Sequence, residues 1–78
     1  MGKIYVMGIG PGNRENMTEA CLAHLKAADI IVGYTGYTEL VRPIFPDKGY
    51  YETGMMQEVE RCKAAIEFAS GGKNICVI

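Results

Sequence analysis

Ile4-Tyr5-Val6-Met7-Gly8-Ile9-Gly10-Pro11-Gly12-Asn13 is the stretch on which the fold turns. Its first four residues form a compact β-branched and aromatic run bounded by glycine, the pattern of a fully buried strand in a parallel sheet. The strand passes straight into a tight glycine-rich loop. Beyond the loop, Met17, Cys21, Leu22, Leu25 and Ala28 recur at spacings of three and four, so the pattern predicts a helix over 17–28 with one apolar stripe. Asn16 with Glu19 three residues on resembles a capping box, and Thr18 is an equally good cap.

Reading outward, Ile30-Ile31-Val32 is expected to be a second buried strand closed by Gly33. Tyr34-Thr35-Gly36-Tyr37 reads as a turn and Thr38 to Val41 as a short helix, ended by Pro43 because the residue before proline resists the α region. Pro43 and Pro46 mark a loop, and Tyr50-Tyr51-Glu52 a brief strand. Met55 to Ser70 is the clearest helix, with Val59, Cys62, Ile66 and Ala69 as its expected buried stripe and Glu58, Glu60, Arg61, Lys63 and Glu67 facing water. Thr53 is the expected cap and Gly71-Gly72 the stop. Lys73 to Ile78 begins another apolar strand. Strands and helices therefore alternate, which predicts an α/β fold: a parallel sheet with helices on both faces. In such sheets ligands bind beyond the carboxyl ends of the strands. The last strand has no loop or helix after it, and the chain is expected to be a fragment.

Composition narrows the function classes. The chain has 78 residues, 49% of them apolar, and a net charge of −1. A chain this short buries only about 60–65% of the surface its unfolded form exposes. The near-neutral charge gives no field that would gather nucleic acid or an anionic membrane. The apolar run near the amino terminus ends at Gly8, too short for a secretion signal or a membrane span, and Val6 stands where a myristoylation motif wants Ser or Thr. Cys21, Cys62 and Cys76 are odd in number and widely spaced, so buried reduced thiols in a cytoplasmic protein are expected, with no disulfide framework and no metal site.

Gly8-Ile9-Gly10-Pro11-Gly12 invites a dinucleotide-binding reading, because glycines between strand and helix let a ligand approach the backbone. The fit is poor. The fingerprint's third glycine is replaced by Asn13, no carboxylate ends the second strand at Val32-Gly33-Tyr34, and Pro11 removes an amide donor. No Gly-Lys-Ser/Thr follows, which excludes a Walker-type loop. From spacing alone, a plain strand-to-helix turn without ligand stays open beside a binding loop.

Gly8-Ile9-Gly10-Pro11-Gly12 followed by Met17-Thr18 is similar to the opening signature of the tetrapyrrole methylases. Ala28-Asp29-Ile30-Ile31-Val32-Gly33-Tyr34 resembles that family's second strand. Gly33-Tyr34-Thr35-Gly36-Tyr37 and Glu58 to Ala65 resemble the branch that methylates C-17 of precorrin-3B, or of its cobalt-containing counterpart, with ring contraction in cobalamin biosynthesis. The resemblance covers the whole chain. It implies a protein of two α/β domains with S-adenosylmethionine bound in the cleft between them. Residues 1–78 would be the amino-terminal portion of the first domain, with the rest of the protein absent and this piece inactive alone. It further implies that Pro11, flanked by Gly10 and Gly12, touches the cofactor.

Methyl transfer from a sulfonium needs alignment and exclusion of water rather than a metal. The implied acceptor is a polycarboxylate macrocycle whose carboxylates need cationic or amide partners. Arg14 is the first candidate, with Arg42 and Lys48 behind it and an ordinary solvated cation as the competing reading for each. Tyr34 and Tyr37, just past the second strand, are placed to stack on the macrocycle or to cover the core. His24 points to the helix surface and is assigned no catalytic role; the catalytic acid or base is not identified. The partners expected are a tetrapyrrole substrate and further copies of the chain, since an unfinished sheet edge favours pairing. A self-associating α/β binding module without catalysis is the competing function, and an oxidoreductase fragment the third.

Overall fold

The structure, a computed structural model, describes residues 2–9, 15 and 17–78. Its elements in chain order are β1 (Ile4–Val6), α1 (Glu19–Ala27), β2 (Ile30–Tyr34), α2 (Thr35–Val41), β3 (Gly49–Thr53), α3 (Glu58–Ser70) and β4 (Ile75–Val77). The four strands form one sheet in the order β1-β4-β2-β3, with every neighbouring pair parallel. The alternating α/β architecture expected from the sequence is what the chain adopts.

Register shows how the period of two sorts the core. Tyr5, Cys76, Ile31 and Tyr50 lie side by side across the sheet. They share a face with Cys21 and Leu25 of α1 and Val41 of α2, and with Ile9, Met17 and Ala28, in one apolar cluster. The residues one step along point the other way. Val32 and Ile75 pack there with Ala65 and Ala69 of α3. Helices thus cover both faces. Burying a side chain such as Leu25, Ile31 or Ile75 completely contributes about 1.5–3 kcal/mol each.

Local rules set the helix ends. Thr18 caps α1, its Oγ1 accepting from Cys21 N–H at 3.0 Å; Asn16, the rival cap, lies outside the described residues. Lys48 donates from Nζ to the Lys26 and Ala28 carbonyls at the other end of α1, where orphan carbonyls carry negative charge. At the end of α3, Gly72 takes φ +92°, which a side chain would resist. That conformation lets Lys73 N–H return to the Phe68 carbonyl at 3.2 Å.

Four expectations are corrected. β1 is an edge strand among the described residues, and its Val6 is 80% exposed, so the run is not fully buried. The 34–37 segment is not a turn: the last residue of β2 leads directly into α2, with Tyr34 as N-cap. Thr53 ends β3 instead of capping α3, which starts at Glu58 with Gln57 before it. The stripe of α3 is rotated. Val59 (66%), Cys62 and Ile66 (57%) are exposed, while Ala64, Ala65 and Ala69 are buried and Arg61 and Phe68 half-buried. The helix turns its alanines to the sheet because small side chains allow close approach. Among the described residues no helix is long and apolar enough to cross a membrane.

All three cysteines are free thiols, with Cys21 and Cys76 buried and Cys62 exposed. Burial pushes both buried thiols up, Cys76 to about 11, assisted there by Cys21 and opposed by Lys48. A thiol reagent should therefore modify Cys62 fast and the other two only on unfolding; three equally fast thiols would contradict this core. Cys76 also sets a pH dependence. Its folded pKa lies above the unfolded one, so its contribution is intact below the unfolded value of about 8.5 and is lost as pH climbs toward the folded one. The unfolding midpoint in denaturant should fall between about pH 8.5 and 11, and Cys76→Ala should flatten that fall.

Candidate functional site

In a parallel sheet all carboxyl ends lie along one edge. Here that edge collects Met7 to Ile9 after β1, Tyr34 and the start of α2 after β2, the 54–57 segment after β3, and Ile78 after β4. Two cavities open on it. The first, about 240 Å³, is lined by Met7, Gly8, Ile9, Tyr37 and Ile78. A Cβ built on Gly8 would meet nothing within 4 Å, so the space beside the loop is open. The second, about 230 Å³, is lined by Tyr34, Tyr37, Met55, Met56, Glu58 and Arg61. Tyr37 belongs to both.

The tyrosines are held by the first turn of α2. Thr35 Oγ1 donates to the Thr53 carbonyl at 3.1 Å, tying α2 to the end of β3, and buried Thr38 donates to the Thr35 carbonyl at 3.1 Å. Gly36 carries the Tyr34 ring almost against its backbone: a Cβ there would lie 2.5 Å from Tyr34 Cε2. With that room, Tyr34 and Tyr37 meet edge to face, centroids 5.6 Å apart at 89°. Half-exposed Tyr37 turns apolar ring surface and a hydroxyl toward both cavities.

Arg61 is the site residue that sequence reasoning missed. Its side chain is 13% exposed. Nη1 donates to Thr53 Oγ1 at 2.6 Å and to the Gly54 carbonyl at 3.2 Å, and Nη2 lies 3.5 Å from Glu58 Oε1. Gly54 N–H is bound by Gln57 Oε1 at 2.9 Å. Met56 between them has φ 62°, a left-handed conformation unusual for a side-chain-bearing residue. A signal existed: Arg61, Ala64, Ala65, Phe68 and Ala69 are spaced as one helical stripe, headed by a cation.

The other predicted residues sort by place. Gly10, Pro11, Gly12 and Arg14 lie outside the described residues. Tyr34 and Tyr37 are brought together at the carboxyl edge. Arg42 is engaged elsewhere: Nε donates to Glu52 Oε1 at 2.8 Å and the guanidinium lies 4.3 Å over the Tyr50 ring. Lys48 sits at the amino ends of the strands, on the carbonyls of α1. His24 is half-buried, not on the helix surface; its ring stacks on Tyr5 at 4.0 Å, beside a third cavity at the amino ends. Among the described residues no cluster of His, Cys, Asp or Glu has the arrangement of a metal site.

Comparison with known proteins bears on these cavities. The model of the "Tetrapyrrole (Corrin/Porphyrin) Methylases" matches residues 3–78. A "Probable cobalt-factor III C(17)-methyltransferase" of Salmonella typhimurium is 49% identical over 75 residues, covering 96% of this chain and 31% of that protein. A "Cobalt-factor III methyltransferase" of Priestia megaterium is 36% identical over 77 residues, 99% of this chain and 14% of that protein. A "Precorrin-3B C(17)-methyltransferase" of a Sinorhizobium species is 29% identical over 77 residues, 99% and 30%. The chain therefore spans less than a third of the length of these relatives. With its parallel sheet, its carboxyl-edge cavities and a family match along nearly every residue, the chain belongs to the tetrapyrrole (corrin/porphyrin) methylases.

Proposed function

We propose that the protein containing this chain methylates C-17 of a precorrin-3B or cobalt-factor III type tetrapyrrole, with ring contraction, in cobalamin biosynthesis. The reading takes residues 1–78 as the amino-terminal part of its first α/β domain. The observation that carries it is the pair of adjoining cavities at the carboxyl edge, with Tyr37 common to both. One reaction site needs a donor pocket beside an acceptor pocket, and this edge supplies a wall of each.

The first cavity suits S-adenosylmethionine. Met7, Ile9 and Ile78 offer apolar walls for the adenosyl group, open space lies beside Gly8, and the Tyr37 ring is an attractive neighbour for a sulfonium. Gly10, Pro11 and Gly12 follow Ile9 in the sequence and are assigned to this pocket; Arg14 is assigned to the substrate. The bound cofactor supplies a methyl group already activated by positive charge. Tyr37 and Tyr34 orient a flat acceptor by stacking, and the apolar walls keep water from the transferring group. Glu58 and the hydroxyls of Tyr34 and Tyr37 are the proton-carrying groups that line the second cavity among the described residues. A fragment holding one wall of each pocket is inactive alone.

A second reading, a self-associating module, draws on the exposed Ile4, Val6, Val59 and Ile66. Such apolar area on one side of a small sheet calls for a cover. In the first reading the remainder of the domain provides it. In the second, another copy does.

The test uses the full-length polypeptide. Incubated with S-adenosylmethionine and cobalt-factor III, it should yield a product heavier by one methyl group, and S-adenosylmethionine should bind while NAD does not. Tyr37→Ala should weaken S-adenosylmethionine by about three- to thirtyfold, the worth of one aromatic–cation contact. Tight NAD binding with no methylated product would overturn the reading. Sedimentation of the 78-residue chain as a dimer, with no methylation by the full-length protein, would favour the module.

A further inference from the structure

We propose that Arg61 is the carboxylate anchor of the acceptor pocket, gripping a peripheral acetate of the tetrapyrrole while Tyr34, Tyr37, Met55 and Met56 take the adjoining ring face. The inference rests on the tetrapyrrole reading above and adds a residue to it.

The guanidinium is fixed before any ligand arrives. Thr53 Oγ1 and the Gly54 carbonyl occupy both protons of Nη1, at the end of β3. The side chain is 13% exposed, and its stem runs along the buried stripe of α3. A cation held this way loses little freedom when it binds. Among the described residues its remaining edge, Nη2 and Nε, is not taken up by a close partner: Glu58 Oε1 approaches Nη2 only to 3.5 Å, and the Glu58 side chain is 72% exposed. An exposed, loosely held carboxylate already sits where a ligand carboxylate would make a shorter, paired contact. Glu58 thus marks the position as carboxylate-binding and competes for it.

The rest of the cavity fits the ligand's other half. Tyr34 and Tyr37 stand edge to face on one side. Met55 and Met56, 74% and 89% exposed, stand on the other. Unbranched thioethers adapt to an irregular apolar face and interact well with π surfaces. Exposing two adjacent methionines to water, one of them at φ 62°, carries a cost that a covering ring face would offset. One cation among aromatic and thioether groups matches a flat macrocycle fringed with carboxylates. It does not match an adenine nucleotide, whose phosphates would want several donors.

The test is fluorescence titration of the full-length protein with uroporphyrin, which carries eight carboxylates, and coproporphyrin, which carries four. Wild type should prefer uroporphyrin. Arg61→Gln should bind it about ten- to a hundredfold more weakly, as expected for a lost charge-assisted pair, and should lose the preference over coproporphyrin. Glu58→Gln removes the competitor from an exposed position, leaves the guanidinium and its β3 partners in place, and should tighten uroporphyrin about two- to fivefold. Because Arg61 also holds Thr53 and Gly54, the glutamate variant decides the matter if Arg61→Gln unfolds. Tight wild-type binding with an unchanged Glu58→Gln, or a folded Arg61→Gln that keeps the preference, overturns the anchor and leaves the tetrapyrrole reading standing. A wild-type protein that ignores both porphyrins overturns the two together.

Discussion

The insertion of β4 between β1 and β2 is the constraint on which the rest depends. Ile75 and Cys76 are fully buried and belong to the two opposite clusters, so one dipeptide ties both faces of the sheet. Backbone bonds fasten the strand at each end. Ile75 N–H reaches the Lys3 carbonyl at 2.8 Å, Met7 N–H the Val77 carbonyl at 3.0 Å, and Ile78 N–H the Val32 carbonyl at 2.9 Å. Without β4, β1 has no neighbour among the described residues. The first two of these contacts join residues about seventy positions apart, so the loop-closure entropy is met before the reward arrives.

Once all four strands are parallel, the site's location follows. Every carboxyl end faces the same way, and the residues that follow the four strands become neighbours without being neighbours in sequence. The amino-end cavity beside His24 is shaped by a different set of elements: the start of β1, the end of α1 and the start of β4. Lys48 and Asp29 illustrate what that end is for. Lys48 satisfies the carbonyls of α1, and Asp29 Oδ2 accepts from Asn74 N–H at 2.8 Å. Charge at the amino ends closes helices and aligns strands, while charge at the carboxyl edge is left partly free.

Alternation of strand and helix was legible in the sequence because Ile30-Ile31-Val32 and the stripe Met17, Cys21, Leu25 and Ala28 each carry a clean period. The errors share one cause. Large apolar side chains suggest a buried stripe of Val59, Cys62, Ile66 and Ala69, of which the structure buries Ala69 alone, beside Ala64 and Ala65, which that pattern leaves out. A helix lying close to a sheet prefers alanine, and that preference appears only once the partner surface is known. The same rotation hid Arg61, because a charged residue on the inner stripe reads as solvent-facing until a β3 hydroxyl and carbonyl are found to receive it. β1 misled for a related reason: a strand's composition tells of two apolar faces, not of whether a neighbour stands on both sides.

Tyr34 and Tyr37 were legible as candidates, but their arrangement depends on what lies between them. Gly36 gives the Tyr34 ring its place, Thr35 bonds across to β3, and the turn so fixed presents Tyr37 to both cavities. Thr53 joins the same assembly from the other side, its carbonyl held by Thr35 and its hydroxyl by Arg61. One threonine at the end of β3 thus links the helix that carries the tyrosines to the helix that carries the cation. Arg61 and the first turn of α2 are thus two hydrogen bonds apart, both made to Thr53. The two carboxyl-edge cavities share a side chain, and they also share the hydrogen bonds that set its position.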